Sequence, residues 1–161
     1  MRSALIACVV VFGLATSAAA QNARQIAAAR QGASCPGCNL FQADFSNLRL
    51  AGRNFAGARL RQADLSLAVA PGANFAHADM RDVNFYGAVM TRARLNGADL
   101  THASLVGAYL VGADLSGARL EGANLSGADL RRARGLTQSQ LNRACADASS
   151  HLPAGLTTPS C

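Results

Sequence analysis

The chain has 161 residues and carries 15 basic side chains, all arginine, against 9 acidic ones, a formal net charge of +6. That length bounds one small domain, and the charge balance excludes a strongly acidic outer surface. With 5% aromatic residues and no tryptophan, it also lacks the interleaved aromatics of a single-strand nucleic-acid platform, and no known nucleic-acid motif occurs, so no nucleic acid is expected as a partner.

Residues 1–20 read as a signal peptide: Arg2, an apolar run from Ala4 to Ala15, then Ala18-Ala19-Ala20 before a cleavage site. The run is too short to remain as a membrane span, so no transmembrane segment is expected after signal removal and the mature protein is expected to be periplasmic or secreted. Leu5-Ile6-Ala7-Cys8 has the look of a lipoprotein box, but no apolar region precedes it. Residues 21–37 are expected to form an N-terminal cap, with a short helix from Arg24 to Gln31 stopped by Gly32. Cys35-Pro36-Gly37-Cys38 follows. A redox C-x-x-C wants its first cysteine at a helix N-terminus, whereas a strand should follow here. A c-type haem attachment would need His after Cys38, and the residue is Asn39.

From Cys38 onward a large apolar residue returns at every fifth position: Leu40, Phe45, Leu50, Phe55, Leu60, Leu65, then Ala70, then Phe75, and so on to Leu125 and Leu130. In an α-helix steps of five would scatter these centres around the axis. In an unbroken strand they would fall on alternate faces. The chain must therefore turn once per repeat. The residue two before each centre is usually Ala, and both point inward. The residue between them is mostly Asp or Asn and points outward, and Gly often follows two after the centre, where a corner needs backbone freedom.

Segments such as Ala-Asp-Leu-Ser-Gly at 113–117 and Ala-Asn-Leu-Ser-Gly at 123–127 closely resemble the pentapeptide-repeat family. The resemblance implies an all-β solenoid: a right-handed quadrilateral β-helix over residues 38–134, four pentapeptides per coil, with short helical caps. Handedness and the number four come from the resemblance; the period alone requires only that the chain coil. Two residues break the pattern. Ala70 loses bulk at a centre and would leave a gap that unbranched Met90 could fill, and Arg53 stands in an inward slot and should reach out to the N-terminal edge.

Residues 135–161 are expected to close the other end. Thr137-Gln138-Ser139-Gln140 is a capping box opening a helix with Leu141, Ala144, Cys145 and Ala148 on one face, followed by an extended tail to Cys161. Four mature cysteines in an oxidising compartment point to two disulfides. Cys35–Cys38 and Cys145–Cys161 are favoured, because bridged Cα atoms lie within about 7 Å and the caps are at opposite ends, although the tail could reach elsewhere.

On four-fold coiling one outer face carries Arg49, Val69, Val89, Tyr109 and Asp129 in place of an Asp/Asn ladder, with Val111 close by. Tyr86 and Val106 stack on the face before it. Val69, Tyr86, Val89, Val106, Tyr109 and Val111 therefore form a candidate interaction strip for an unidentified protein partner or for self-association. Arg49, Arg92, Arg131 and Arg132 are candidate anion contacts, which would suit an alternative role as a binder of anionic envelope polymers or lipids. Family members that act as DNA mimics carry an acidic surface, which this basic chain lacks. No nucleophile, base and orienting group recur together, His77, His102 and His151 are dispersed, and no cofactor or metal is expected. The Asp/Asn ladder is better explained by turn support than by calcium, and Thr91 and Thr101 do not stack as ice-binding ranks would. The expectation is an exported, non-catalytic structural or protein-interaction module.

Overall fold

The computed structural model describes residues 18–157, with side-chain burial from residue 22 onward; most of the expected signal peptide and Cys161 lie outside the described residues. The first element, α1, is a helix over Ala18–Arg30, longer at its N-terminus than the Arg24 start expected from the sequence. It ends as Gly32 predicts. With φ of 94°, Gly32 lets its own N–H reach Ala29 O at 3.0 Å and the Ala33 N–H reach Ala28 O at 3.0 Å, the paired bonds of a Schellman cap. Ala29 is fully buried and Ile26 packs partly against the core. Gln25 Oε1 accepts from the Asn39 N–H (2.9 Å), and Arg30 donates to Asp44 O (2.7 Å), so α1 covers polar groups that an open solenoid end would leave bare.

From Asn39 to Arg134 parallel bridges join each residue before a centre to its equivalent 20 positions on, as in Asn39↔Arg59, Asp79↔Asp99 and Asp114↔Arg134. Four pentapeptides therefore complete each coil of a right-handed, four-sided β-solenoid. Bonds run both ways from each step: the Leu100 N–H donates to Arg119 O (2.9 Å), and the Arg119 N–H donates to Ala98 O (2.9 Å).

Each corner is a four-residue turn. After Leu100, the Ala103 N–H returns to Leu100 O (3.0 Å) and the third residue, His102, has φ of 58°, the signature of a type II turn. The same left-handed φ recurs two places after every centre from Gln42 to Arg132, at ten glycines and at nine other residues including Leu67, His77 and Arg92. The outward Asp or Asn completes the corner by accepting from the backbone N–H two residues on: Asp99 from Thr101 (3.1 Å), Asp114 from Ser116 (3.0 Å), Asn124 from Ser126 (2.9 Å). This is an Asx-turn, and it explains the ladder without a metal.

The interior is apolar throughout, with no buried polar or charged residue among those described. Phe45, Phe55, Phe75 and Phe85 pack in succession, with ring centroids 6.0, 5.3 and 6.1 Å apart; Phe55 and Phe75 are stacked, and the outer two contacts are tilted and edge-on. Ala70 and Met90 are both fully buried, in the interior column that Leu50 begins. Arg53 is exposed and its guanidinium lies over Gly32.

The C-terminal cap differs from expectation. The capping box at Thr137 forms, but α2 spans only Gln138–Leu141 and ends at Asn142; it does not continue to Ala148. The chain instead returns to the solenoid edge, where Cys145 bridges Asn124 and His151 bridges Asp129. Edge pairing supplies the reason: the Leu125 N–H donates to Cys145 O and the Leu130 N–H to His151 O, both at 2.7 Å, and these edge groups would have no partner beneath a longer helix. Gln140 Nε2 donates to two more edge carbonyls, Leu115 O and Ala118 O. Leu141, Ala144 and Ala146 close the core.

Cys35 and Cys38 form a disulfide with Cα atoms 5.4 Å apart. Cys145 is disulfide-bonded too, and its expected partner, Cys161, lies outside the described residues. Among the described residues no helix is long and apolar enough to cross a membrane.

Candidate functional site

A solenoid with a dry interior can meet other molecules only through its outside, and its four faces differ in how they spend their charge. On the face holding Asn39, Arg59, Asp79, Asp99 and Arg119 the arginines are largely neutralised in place. Asp79 pairs with Arg81 (2.7 Å), Arg81 and Arg119 approach Asp99 (4.0 and 3.4 Å), and Glu121 takes Arg119 and Arg143 (3.6 and 3.1 Å). The hydrogen bonds from Arg81 hold the Asp79 carboxyl below the usual carboxylate range. At the N-terminal end of this face a groove of about 420 Å³ is lined by Asn39, Phe41, Arg59, Arg61, Asp79 and Arg81. Phe41, which the sequence reading did not single out, is 40% exposed there.

The face that begins at Arg49 carries Val69, Val89 and Tyr109 where Asp or Asn stands elsewhere. Val69 and Val89 are half-buried in its central column. The strip expected from the sequence is divided between the two corners that flank this face. At one corner Tyr86, Val106 and Tyr109 line a groove of about 420 Å³ together with Leu67, its far edge formed by Ser126, Asp147 and Ser149. Tyr86 and Tyr109 are 55% and 53% exposed, and Leu67 is 50% exposed. Leu67 was missed because a leucine two places after a centre gives no sign of its direction; its left-handed φ of 56° sends the side chain out over the corner. The Asp147 carboxyl at the groove edge is held low by the Ser149 hydroxyl and the Gly127 N–H, so it is ionised at neutral pH.

At the other corner Val111 and Gly112 form the floor of a notch of about 310 Å³ walled by Arg92, Arg132 and Arg134. Of the four expected anion contacts, Arg92 and Arg132 are thus brought together, with Arg134 added. Arg131 instead binds the Asp129 carboxylate with both Nε (2.9 Å) and Nη2 (2.6 Å), which lowers the Asp129 pKa. Arg49 sits at the start of its column, opposite Val69. His77, His102 and His151 lie apart, and among the described residues no group of three His, Cys, Asp or Glu side chains is placed to hold a metal.

Comparison with known proteins places this geometry. A profile described as pentapeptide repeats, in eight copies, matches residues 38–69, 72–105, 93–132 and 103–145. Similar solved structures include a pentapeptide repeat protein from the Arabidopsis thaliana thylakoid lumen, with 27% identity over 68% of this chain and 82% of that one and a TM-score of 0.40. The pentapeptide repeat protein Rfr23 from the cyanobacterium Cyanothece shows 25% identity over 84% of this chain and 99% of that one, with a TM-score of 0.34. HetL, a pentapeptide repeat protein involved in heterocyst differentiation regulation in Nostoc, shows 30% identity over 74% of this chain and 68% of that one, with a TM-score of 0.31. No curated protein matches the chain. The matched repeats run through more than half of the sequence and coincide with the coils, and the chain belongs to the pentapeptide repeat family.

Proposed function

We propose that this protein is an exported, non-catalytic solenoid that works as a protein-interaction module, its contact surface being the corner groove of Leu67, Tyr86, Val106 and Tyr109. Pentapeptide repeat proteins are generally structural or interaction modules. The observation that carries the reading is the pair of tyrosines, each more than half exposed, facing one groove with a half-exposed leucine. Tyrosines bury large area at low entropic cost when a partner docks. The ionised Asp147 at the edge favours a polypeptide segment that presents an apolar side chain beside a basic or amide group. Export rests on the signal-like residues 1–20 and on the cysteine usage, with Cys35 and Cys38 paired.

A photo-cross-linker placed at Tyr86, compared with one at Arg119 on another face, tests the surface in the native compartment. Adducts specific to position 86, lost on Leu67→Ser, are expected; equal capture at both positions would overturn the groove. N-terminal sequencing of the mature protein tests export, with Gln21 expected as the first residue. Sedimentation of the purified protein separates a foreign partner from self-association through the same groove.

A further inference from the structure

We infer that the notch at Val111 is a binding site for a phosphate-type oxyanion, free or esterified, independent of the tyrosine groove on the adjacent corner. At corners headed by Asp or Asn, the N–H two residues on is taken by that side chain, as Ser116 is by Asp114 (3.0 Å) and Arg131 by Asp129 (3.1 Å). At the corner after Leu110 the heading residue is Tyr109, which has no oxygen within reach of that position. Its side chain instead lines the opposite groove. The Val111 carbonyl is used, accepting from the Arg92 N–H at 3.0 Å, but among the described residues the Val111 N–H has no hydrogen-bond partner. The chain thus leaves an empty seat where a carboxylate oxygen sits in neighbouring repeats.

The surroundings of that seat are cationic. Arg92 and Arg132 stand two residues past their centres, one coil below and one coil above Gly112, and Arg134 completes the wall. Coils stack about 4.8 Å apart, so the two flanking arginines are on the order of 10 Å from each other at the backbone, with a glycine between them. Gly112 leaves the space open; a Cβ there would approach Arg92 Cγ at 3.6 Å. None of the three guanidinium groups makes an ion pair among the described residues.

The acidic groups nearby are committed. Asp129 is held by Arg131. Asp114 is held by the Ser116 hydroxyl and N–H, which lower its pKa, and its charge is set between Arg94 and Arg134. Three arginines against one carboxylate leave a double positive excess, which matches a phosphate dianion better than a single carboxylate. Guanidinium forks and a backbone N–H are the donors that phosphate oxygens take up.

The test is an amide-resolved NMR titration of the full mature chain with inorganic phosphate, at constant ionic strength against chloride. A saturating shift of the Val111 amide is expected with phosphate and not with chloride. Arg92→Gln with Arg132→Gln should weaken it about tenfold or more, as loss of charge-assisted bonds implies, while Arg49→Gln leaves it unchanged. Tyr109→Asn is the discriminating variant: it restores the acceptor found in neighbouring repeats without altering charge, and should abolish the Val111 response while the fold persists. A second arm uses phosphatidylcholine vesicles with and without phosphatidic acid. A response to phosphate alone assigns a soluble phosphate, and a response to phosphatidic acid assigns a lipid headgroup; either supports the notch if Tyr109→Asn removes it. Silence in both arms, or a response that survives Tyr109→Asn, overturns it.

Discussion

The imidazole of His77 lies over Gly97, one coil further on, so closely that a Cβ on Gly97 would fall 2.7 Å from the ring Cε1. His102 covers Gly122 in the same way, and Leu67 covers Gly87. Since nine non-glycine residues adopt the same left-handed φ in other repeats, backbone conformation alone does not require glycine at these three places; the side chain beneath adds a crowding cost that a Cβ would have to relieve. Gly97→Ala is expected to cost more than Gly117→Ala, which meets nothing within 4 Å and bears only the left-handed penalty of about 1 kcal/mol. The excess should be about 0.5–1 kcal/mol and should vanish in a His77→Ala background, as measured by a denaturation cycle. Equal losses for the two glycines would refute the stacking account.

The phenylalanine cluster fills the interior of the N-terminal coils. Phe75 is fully buried, stacked on Phe55 with planes 10° apart and edge-on to Phe85. Phe75→Ala should therefore destabilise the protein by about 3–5 kcal/mol. Tyr86→Ser on the surface should change stability by less than about 0.5 kcal/mol. Urea titration monitored by circular dichroism reads both, and a small effect at Phe75 would mean that the cluster is not packed as described.

Acid should loosen the molecule. The carboxyls of Asp44, Asp114 and Asp147 are held low chiefly by neighbouring serine hydroxyls, those of Asp79 and Asp129 chiefly by Arg81 and Arg131, and that of Glu121 first by its own backbone N–H. A folded-state pKa depressed below the model value of 3.8 for aspartate contributes stability that is present above that value and lost as pH falls through the folded one. The melting temperature should hold steady from about pH 8 to pH 5 and drop below about pH 4. Asp114→Asn, which keeps the acceptor for Ser116 and removes the charge, should soften the drop. An unchanged melting temperature at about pH 2.5 would contradict this sign.

The Cys35–Cys38 bridge closes a sequence separation of only 3, so its chain-entropy contribution is limited to about 2 kcal/mol or less. Replacing both cysteines with alanine should leave the later coils intact and raise amide exchange mainly at positions 35 and 37, whose N–H groups donate to the Asn54 and Ala56 carbonyls. Global unfolding of that variant would give the bridge a larger role.

Much of the architecture is written in the order of residues. A large apolar side chain at every fifth position, an inward alanine two before it and a polar residue between can be satisfied only by a chain that turns once per repeat, because local backbone geometry determines which way each side chain points. Gly32 as a helix stop and Thr137 to Gln140 as a capping box were equally local, and both are present. What the sequence could not decide lies between residues a full coil apart or more. Cys145 leaves the helix expected for it because the Leu125 N–H of the preceding coil claims its carbonyl, and His151 in the tail is claimed likewise by the Leu130 N–H. Arg92, Arg132 and Arg134 come to share an open notch, and Leu67 joins Tyr86 and Tyr109 in one groove. Those outcomes depend on which side chains the coiling stacks above and below one another, and stacking is set by the tertiary winding.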